Sequence, residues 1–194
     1  MPLFSYLYDL FMYPQDRLGL WKLRRKTVAP AEGRVLEVGV GSGLNFRHYE
    51  KVTALTGIDP DPVLLRRARK RTRELRFPVQ LQIADAQQLP FADNSFDTVV
   101  ATLVFCTVPD AGRGLREIKR VLRPEGRVRL LEHVRSENPR KARFQDFILP
   151  AWKRVCGGCH PNRDTVARLK ESGFALNEFK RYKGVVVMTG RKAP

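Results

Sequence analysis

Apolar positions change their period several times along the chain, and the changes outline a fold. After residue 33, short apolar runs alternate with longer stretches of helical spacing. Val35-Leu36-Glu37-Val38 reads as a buried strand ending at glycines, and Ala54-Leu55-Thr56-Gly57-Ile58 as the next, ending at Asp59. Val79 to Ile83 alternates cleanly, and Asp97 to Ala101 and Val128 to Leu131 supply a fourth and a fifth strand. Pro62 to Arg76 and Gly112 to Leu122 carry helical periodicity between them. Pro62 suits a first helical turn, where its missing N–H costs nothing. Leu64, Leu65, Ala68, Thr72 and Leu75 then turn one face toward a sheet. Strands that alternate with helices predict a parallel sheet covered on both faces.

The tail has a different rhythm. Asn162 to Gly173 reads as a helix with Val166 and Leu169 facing inward and Gly173 closing it. Phe174 to Tyr182 and Gly184 to Gly190 read as two strands joined by a tight turn at Lys183-Gly184. The whole predicts an α/β, Rossmann-like, doubly wound sheet of seven strands with helices on both faces and an antiparallel C-terminal hairpin. Residues 1–28 are read as an N-terminal helical cap or membrane-interface segment, and residues 29–194 as the domain itself.

Glu37-Val38-Gly39-Val40-Gly41-Ser42-Gly43 follows the first strand and is expected to open a helix. Its glycines permit a tight turn and close backbone approach to a ligand. The dinucleotide fingerprint, Gly-x-Gly-x-x-Gly, seats a pyrophosphate at a helix N-terminus. Here the third glycine comes one residue early, and Glu37 stands two places before the first. A carboxylate there repels a pyrophosphate and suits a cationic ligand, such as the amino group and sulfonium of S-adenosylmethionine. Asp59, sixteen residues after Gly43, is placed to accept both hydroxyls of a ribose. Asp85-Ala86, after the third strand, pairs a carboxylate with a neighbouring N–H, a combination suited to an adenine edge. Three acidic positions at the ends of three consecutive strands fall on the carboxyl edge of the sheet, where open α/β sheets bind ligands.

These segments resemble a known family. Glu37 to Asn45, Gly57-Ile58-Asp59, Asp85 to Phe91, Phe96 to Val108 and Glu117 to Gly126 are similar to the consecutive motifs of class I S-adenosylmethionine-dependent methyltransferases, in the subgroup that holds quinone-biosynthesis and phospholipid methyltransferases. The resemblance implies S-adenosylmethionine as cofactor and S-adenosylhomocysteine as product. It implies that Glu37, Gly39 and Gly41 surround the methionine part, that Asp59 takes the ribose, and that Asp85 and Ala86 take the adenine. Thr102 and Leu103 would lie beside the amino-acid moiety and the reacting methyl, with Val40, Gly43, Asn45 and Pro60 completing the cofactor-binding set. In the tail, Leu131-Glu132-His133-Val134, Pro150-Ala151-Trp152, Gly158-Cys159 and Arg163-Asp164 resemble animal membrane-associated methyltransferases that act on thiols. That family has an acidic residue before the Gly-Cys pair, where this chain has Gly157.

Charge adds a question about partners. Lys and Arg number 36 against 20 Asp and Glu, a formal net charge of +16. Such a surplus favours an anionic membrane surface or nucleic acid, and equally a merely solvated basic surface. A nucleic-acid methyltransferase is the alternative the charge motivates. It would show an Asn/Asp-Pro-Pro-Tyr/Phe tetrad after the fourth strand, where Ala101-Thr102-Leu103-Val104 stands. A nicotinamide oxidoreductase would need the spaced third glycine and a Tyr-x-x-x-Lys pair. A non-catalytic S-adenosylmethionine-binding module is the remaining alternative. The aromatic start (Phe4, Tyr6, Tyr8, Phe11, Tyr13) leads into Trp21-Lys22-Leu23-Arg24-Arg25-Lys26 and is read either as a lid or interfacial anchor or as packing on the domain. It has neither the basic start nor the cleavage site of a signal peptide, so the expected location is cytoplasmic or peripheral to a membrane. The acceptor is expected to be small and amphipathic: a thiol, an amine or a phospholipid headgroup.

Cys156-Gly157-Gly158-Cys159-His160 matches the haem-attachment pattern and half of a zinc site or redox pair. Haem attachment needs export, and zinc needs two further ligands, of which only His133 suggests itself, so a structural or substrate-lining loop is the reading taken and no metal is expected. His133, at the end of the fifth strand, is the candidate general base. Cys106 reads as a small buried hydrophobe or a lining residue of the acceptor pocket.

Overall fold

A computed structural model describes residues 2–193, with side chains from Tyr6 onward; Phe4 of the aromatic start lies outside the described side chains. Seven strands form one sheet: β1 (Glu32–Val38), β2 (Lys51–Asp59), β3 (Val79–Ile83), β4 (Phe96–Thr102), β5 (Leu122–His133), β6 (Phe174–Arg181) and β7 (Val185–Lys192). Their order is β3-β2-β1-β4-β5-β7-β6. β1 to β5 are parallel, while β7 runs antiparallel to both β5 and β6. The expected sheet and closing hairpin are therefore present, with Gly184 in the left-handed region at the turn.

The strands are apolar on both sides because both faces are covered. On one face α4 (Ala111–Val121) packs Leu115, Ile118 and Val121 with Leu169 of α6 (Thr165–Glu171) against Leu36, Val99, Val128 and Leu130. On the other, Val28 of α2 (Trp21–Val28) and Leu65 and Ala68 of α3 (Pro62–Arg71) meet Val35, Leu55 and Val100. Asp61, Asp110 and Asp164 each accept backbone N–H groups at the start of α3, α4 and α6.

Several boundaries differ from the sequence reading. No α-helix follows the glycine turn; residues 44–50 hold turns and a single 3-10 turn, Phe46–His48. The connection to β2 is too short for a helix, and the covering role on that face falls to α2. α3 stops at Arg71 and tightens into a 3-10 turn, Thr72–Glu74, so Leu75 enters the core from an extended segment. α6 begins at Thr165 because Asp164 caps it. α5 (Pro139–Val155) was not foreseen. Ala142 is buried on it, while Phe144, Phe147 and Val155 are exposed, so it lacks the periodic core stripe that a sequence reading seeks.

At the N-terminus, α1 (Pro2–Gln15) passes through a π turn, Asp16–Leu20, broken at Gly19, before α2 begins. Two arginines of α3 hold α1. Arg67 donates to the Tyr6 carbonyl at 2.7 Å, and Arg71 pairs with Asp9 at 3.2 Å. Asp9 also accepts the Ser42 hydroxyl, at 2.5 Å, which ties α1 to the glycine turn.

Packing makes a sharp contrast testable. Leu115 is 0% exposed and Phe147 is 81% exposed. Leu115→Ala is expected to cost about 2–5 kcal/mol in urea unfolding, whereas Phe147→Ala stays within about 0.5 kcal/mol. Equal losses in the two variants would contradict this division between core and surface.

Candidate active site

The carboxyl ends of β1, β2 and β4, with the turns after them, line a cleft of about 510 Å³. Gly39 and Gly41 form its floor, Asp59, Pro60 and Asp61 one side, Asp85, Ala86 and Gln87 the far end, and Thr102, Leu103 and Val104 the other side. Tyr8, Phe11, Met12 and Gln15 of α1 close it from above. Gly39 takes a φ of +67°, and a Cβ there would stand 2.4 Å from Val104 Cγ2. A side chain at this position is thus excluded by both strain and space.

Asp59 Oδ2 accepts the Gly41 N–H at 2.9 Å, and its Oδ1 accepts the Asp61 N–H at 2.9 Å. One carboxylate therefore fixes the end of β2 against the glycine turn, and each oxygen keeps a lone pair for a further donor. Burial raises its pKa, and these two N–H donors oppose the rise. Asp85 is exposed at the rim and accepts the backbone N–H of Gln87 at 2.8 Å and its side-chain amide at 2.9 Å. Gln87 Oε1 in turn accepts the Asp110 N–H at 3.0 Å.

Behind the floor lies a buried polar network. Glu37 accepts Asn45 Nδ2 and the Tyr49 hydroxyl, both at 2.8 Å. Burial pushes its pKa up to about 7, against the pull of those two donors. Asn45 Nδ2 also reaches Thr102 Oγ1 at 2.9 Å. Arg24, 2% exposed, completes the network: it pairs with Asp16 at 3.1 Å and donates to Thr102 Oγ1 at 3.0 Å and Asn45 Oδ1 at 3.2 Å. Tyr8 lies over this group, and burial raises its hydroxyl pKa, so it stays a neutral phenol.

At the other end, Cys106, His133, Trp152 and Cys159 line the wall. Glu132, fully buried, accepts the N–H groups of Val104, Phe105 and Cys106 at 2.9, 3.0 and 3.3 Å. This carboxylate shapes the loop after β4, where Leu103 sits at a φ of +61°. Burial raises the Glu132 pKa to about 7, with the three N–H groups opposing. The adjacent Cys159 thiol and burial raise the Cys106 pKa, while Cys106 and His133 beside it lower that of Cys159.

Residues 36–130 match the family described as "Methyltransferase domain". Human thiol S-methyltransferase TMT1A is 37% identical over 145 residues, covering 73% of this chain and 59% of that protein. Phosphatidylethanolamine N-methyltransferase of Cereibacter sphaeroides is 43% identical over 122 residues, 60% of each protein. A chain from the complex between the Haloferax volcanii Trm112 methyltransferase activator and a methyltransferase superposes with a TM-score of 0.77, at 18% identity and 98% coverage of both chains. The chain belongs to the class I S-adenosylmethionine-dependent methyltransferases. It spans about three fifths of the length of the two relatives just named.

Against that family frame, the residues singled out from sequence fall into two groups. Gly39, Gly41, Asp59, Pro60, Asp85, Ala86, Thr102, Leu103 and His133 share the cleft wall. Glu37 and Asn45 stand behind it in the polar network, and Val40 and Gly43 pack toward α3 and Phe46. Arg24, Glu132, Gln87 and Trp152 were missed as site residues. Arg24 lay within a basic run that reads as surface, and Glu132 within a strand whose partners are distant in sequence.

Removing Arg24 would leave Asp16 and the Asn45–Thr102 pair without their buried cation. Arg24→Ala is expected to destabilise by about 3–5 kcal/mol in urea unfolding. Arg24→Lys should recover little, since a single ammonium cannot span the same three acceptors. Wild-type stability in either variant would show that the network is not structural.

Proposed function

We propose that this chain transfers a methyl group from S-adenosylmethionine to the sulfur of a small apolar thiol. The observation that carries the reading is the carboxyl-edge cleft, in which Asp59 and the Gly39–Gly41 turn face the wall formed by Cys106, His133 and Trp152. The cofactor fits the residues present. Asp59 keeps two lone pairs for ribose hydroxyls, Ala84, Ala86 and Leu64 offer an apolar slot beside Asp85 for an adenine, and Thr102 and Leu103 flank the position of the methionine moiety. The cleft volume lies within the roughly 300–1,000 Å³ usual for small-molecule sites. When bound, S-adenosylmethionine supplies a methyl group already activated on a sulfonium. The chain's own part is to hold the acceptor in line and exclude water, which α1 does by covering the cleft.

A thiol is favoured over an amine by what lines the acceptor end. Phe11, Met12, Leu103, Val104 and Trp152 make it apolar, and the carboxylates on the described lining residues (Asp59, Asp61, Asp85) belong to the opposite end. Glu132, buried behind this end, is taken up by three backbone N–H groups and does not line the cleft, so an ammonium acceptor would find no lining carboxylate beside it there among the described residues. The similarity to TMT1A and its relatives supports the same choice, and the similarity to the phospholipid enzyme keeps an amine headgroup as the second reading.

Calorimetry tests the cofactor half. S-adenosylmethionine should bind and NAD should not. Asp59→Ala should weaken the binding by about 2–3 kcal/mol, roughly 30- to 150-fold, as two charge-assisted hydrogen bonds are lost. Tight NAD binding with none for S-adenosylmethionine would sink the assignment.

Access from a membrane surface fits the exterior. Leu10, Tyr13, Leu18 and Trp21 on the N-terminal helices and Phe144 and Phe147 on α5 are exposed, and Phe11 of α1 and Trp152 of α5 pack against the same buried cysteines beside the cleft. Arg17, Lys22, Lys141, Arg143 and Lys153 are exposed among them. No helix among the described residues is long and apolar enough to cross a membrane. The arrangement suits interfacial seating, with each basic residue near an anionic surface contributing about 1 kcal/mol. In co-sedimentation, binding to phosphatidylserine vesicles should exceed binding to phosphatidylcholine vesicles, fall at high salt, and drop several-fold in Leu10→Glu/Phe147→Glu. Unchanged sedimentation of that variant would remove these helices as the anchor.

A further inference from the structure

The reading of Cys156-x-x-Cys159-His160 as half a metal site fails on geometry, but one of its cysteines belongs to another set. Cys106, His133 and Cys159 bring their ligating atoms within 4.8 Å of one another, from the loop after β4, the end of β5 and the loop after α5. Cys159 Sγ stands 3.6 Å from His133 Nδ1. His160 is not part of the set; its backbone N–H and its ring Nδ1 lie 2.7 and 3.2 Å from the Cys106 carbonyl. Cys156 lies in the same apolar cluster without joining the three ligand atoms.

We propose that Cys106, Cys159 and His133 hold a zinc ion whose fourth position faces the cleft and takes the sulfur of the acceptor. A tetrahedral zinc ion with bonds of about 2.3 Å to sulfur and about 2.0–2.1 Å to nitrogen keeps such ligands about 3.6 Å apart. The observed sulfur–nitrogen separation already has that value. Three protein ligands with one open position is the pattern of zinc sites that act on a substrate, whereas structural sites close with four. Two thiolates neutralise the dication, so the set suits the apolar wall in which it lies. Thiolate sulfur with imidazole selects zinc over hard cations such as magnesium or calcium.

The ligands are held before any ion arrives. Glu132 grips the amides of residues 104–106, and His160 and Arg163 bind the carbonyls of Cys106 and Phe105 from the other side. The Trp152 indole N–H is buried against the cysteines and meets no oxygen or nitrogen acceptor among the described residues. A donor of this kind is what the outer shell of a metal-bound thiolate uses. In this arrangement His133 is a ligand and not a base. An acceptor thiol binds as thiolate and releases its proton to solvent. Its sulfur then forms a bond to the methyl carbon as the carbon–sulfonium bond breaks, leaving two thioethers. The zinc site stands on geometry alone; the thiol as its fourth ligand rests on the acceptor reading above.

The test uses the reduced full chain. Chelator-treated protein is titrated with zinc, then separately with cobalt(II) as a spectroscopic stand-in. One zinc per chain is expected, and cobalt should give thiolate charge-transfer absorption with the visible bands of a tetrahedral centre. Cys106→Ser and Cys159→Ser should each weaken zinc binding more than about 100-fold, beyond the 10- to 100-fold that outer-shell changes cost. Cys156→Ser should bind as wild type, and S-adenosylmethionine calorimetry on every variant reports whether the fold survives. Absence of stoichiometric zinc in the wild-type chain, a Cys106–Cys159 disulfide as the stable state under thiol-reducing buffer, or zinc lost with Cys156→Ser instead would each overturn the site. Benzyl mercaptan added to the cobalt form should strengthen the charge-transfer band by one more sulfur ligand. An unchanged spectrum with metal binding intact would overturn the thiol as fourth ligand while leaving the metal site standing.

Discussion

A charged group removed from water at the carboxyl edge of a sheet must find its partners there, and in this protein that demand is met by Arg24. Its guanidinium joins Asp16 before α2, Asn45 after the glycine turn and Thr102 at the end of β4. Asn45 passes the connection on to Glu37 at the end of β1. The N-terminal helices, the stretch from Glu37 to Asn45 and the end of β4 are thereby fixed in one relation, because removing one partner of the buried Arg24–Asp16 pair costs about 3–5 kcal/mol. The glycine turn lies directly over this network, so its shape depends on the N-terminal helices as much as on its own glycines.

A second buried carboxylate organises the opposite end. Glu132 gathers three consecutive amides of the loop after β4, while the next residue on the same strand, His133, faces the cleft. Alternation along a strand sends neighbours to opposite sides, so one strand end both shapes the loop and presents a ligand. Asp59 plays the matching part at β2, holding the glycine turn with one oxygen and the start of α3 with the other. The cleft is thus bounded by carboxylates that bind backbone, which leaves its interior apolar and its donors few.

The helices that cover the cleft carry a different balance. α1 rests on the domain through the partly exposed Arg67, Arg71 and Asp9 and the buried Ser42, while turning Leu10 and Tyr13 outward. α5 contributes Trp152 to the cleft and leaves Phe144 and Phe147 in solvent. Polar tethering with apolar outer faces allows these covers to meet an interface without unpacking the sheet, since the core clusters behind them are formed by other helices.

Sequence by itself determined the sheet, its parallel body and its closing hairpin, because strand and helix periods are local and both faces of the sheet had to be apolar. It also determined the glycine turn and the acidic residues at the ends of β1 and β2 and just after β3, since chain order alone puts consecutive strand ends on one edge. It did not determine α5, whose outward phenylalanines blur the helical stripe, or the absence of a helix after Gly43, which depended on the room available before β2. Arg24 read as one more surface cation in a basic run, and only the packing of α2 against β4 and β5 buried it. Cys106 and Cys159, 53 residues apart in sequence, met only when the loop after α5 folded over the loop after β4. Local pattern records which face of each element is apolar; which side chains of distant elements face each other across the cleft is decided by loop paths and buried charge pairing, and those are properties of the tertiary structure.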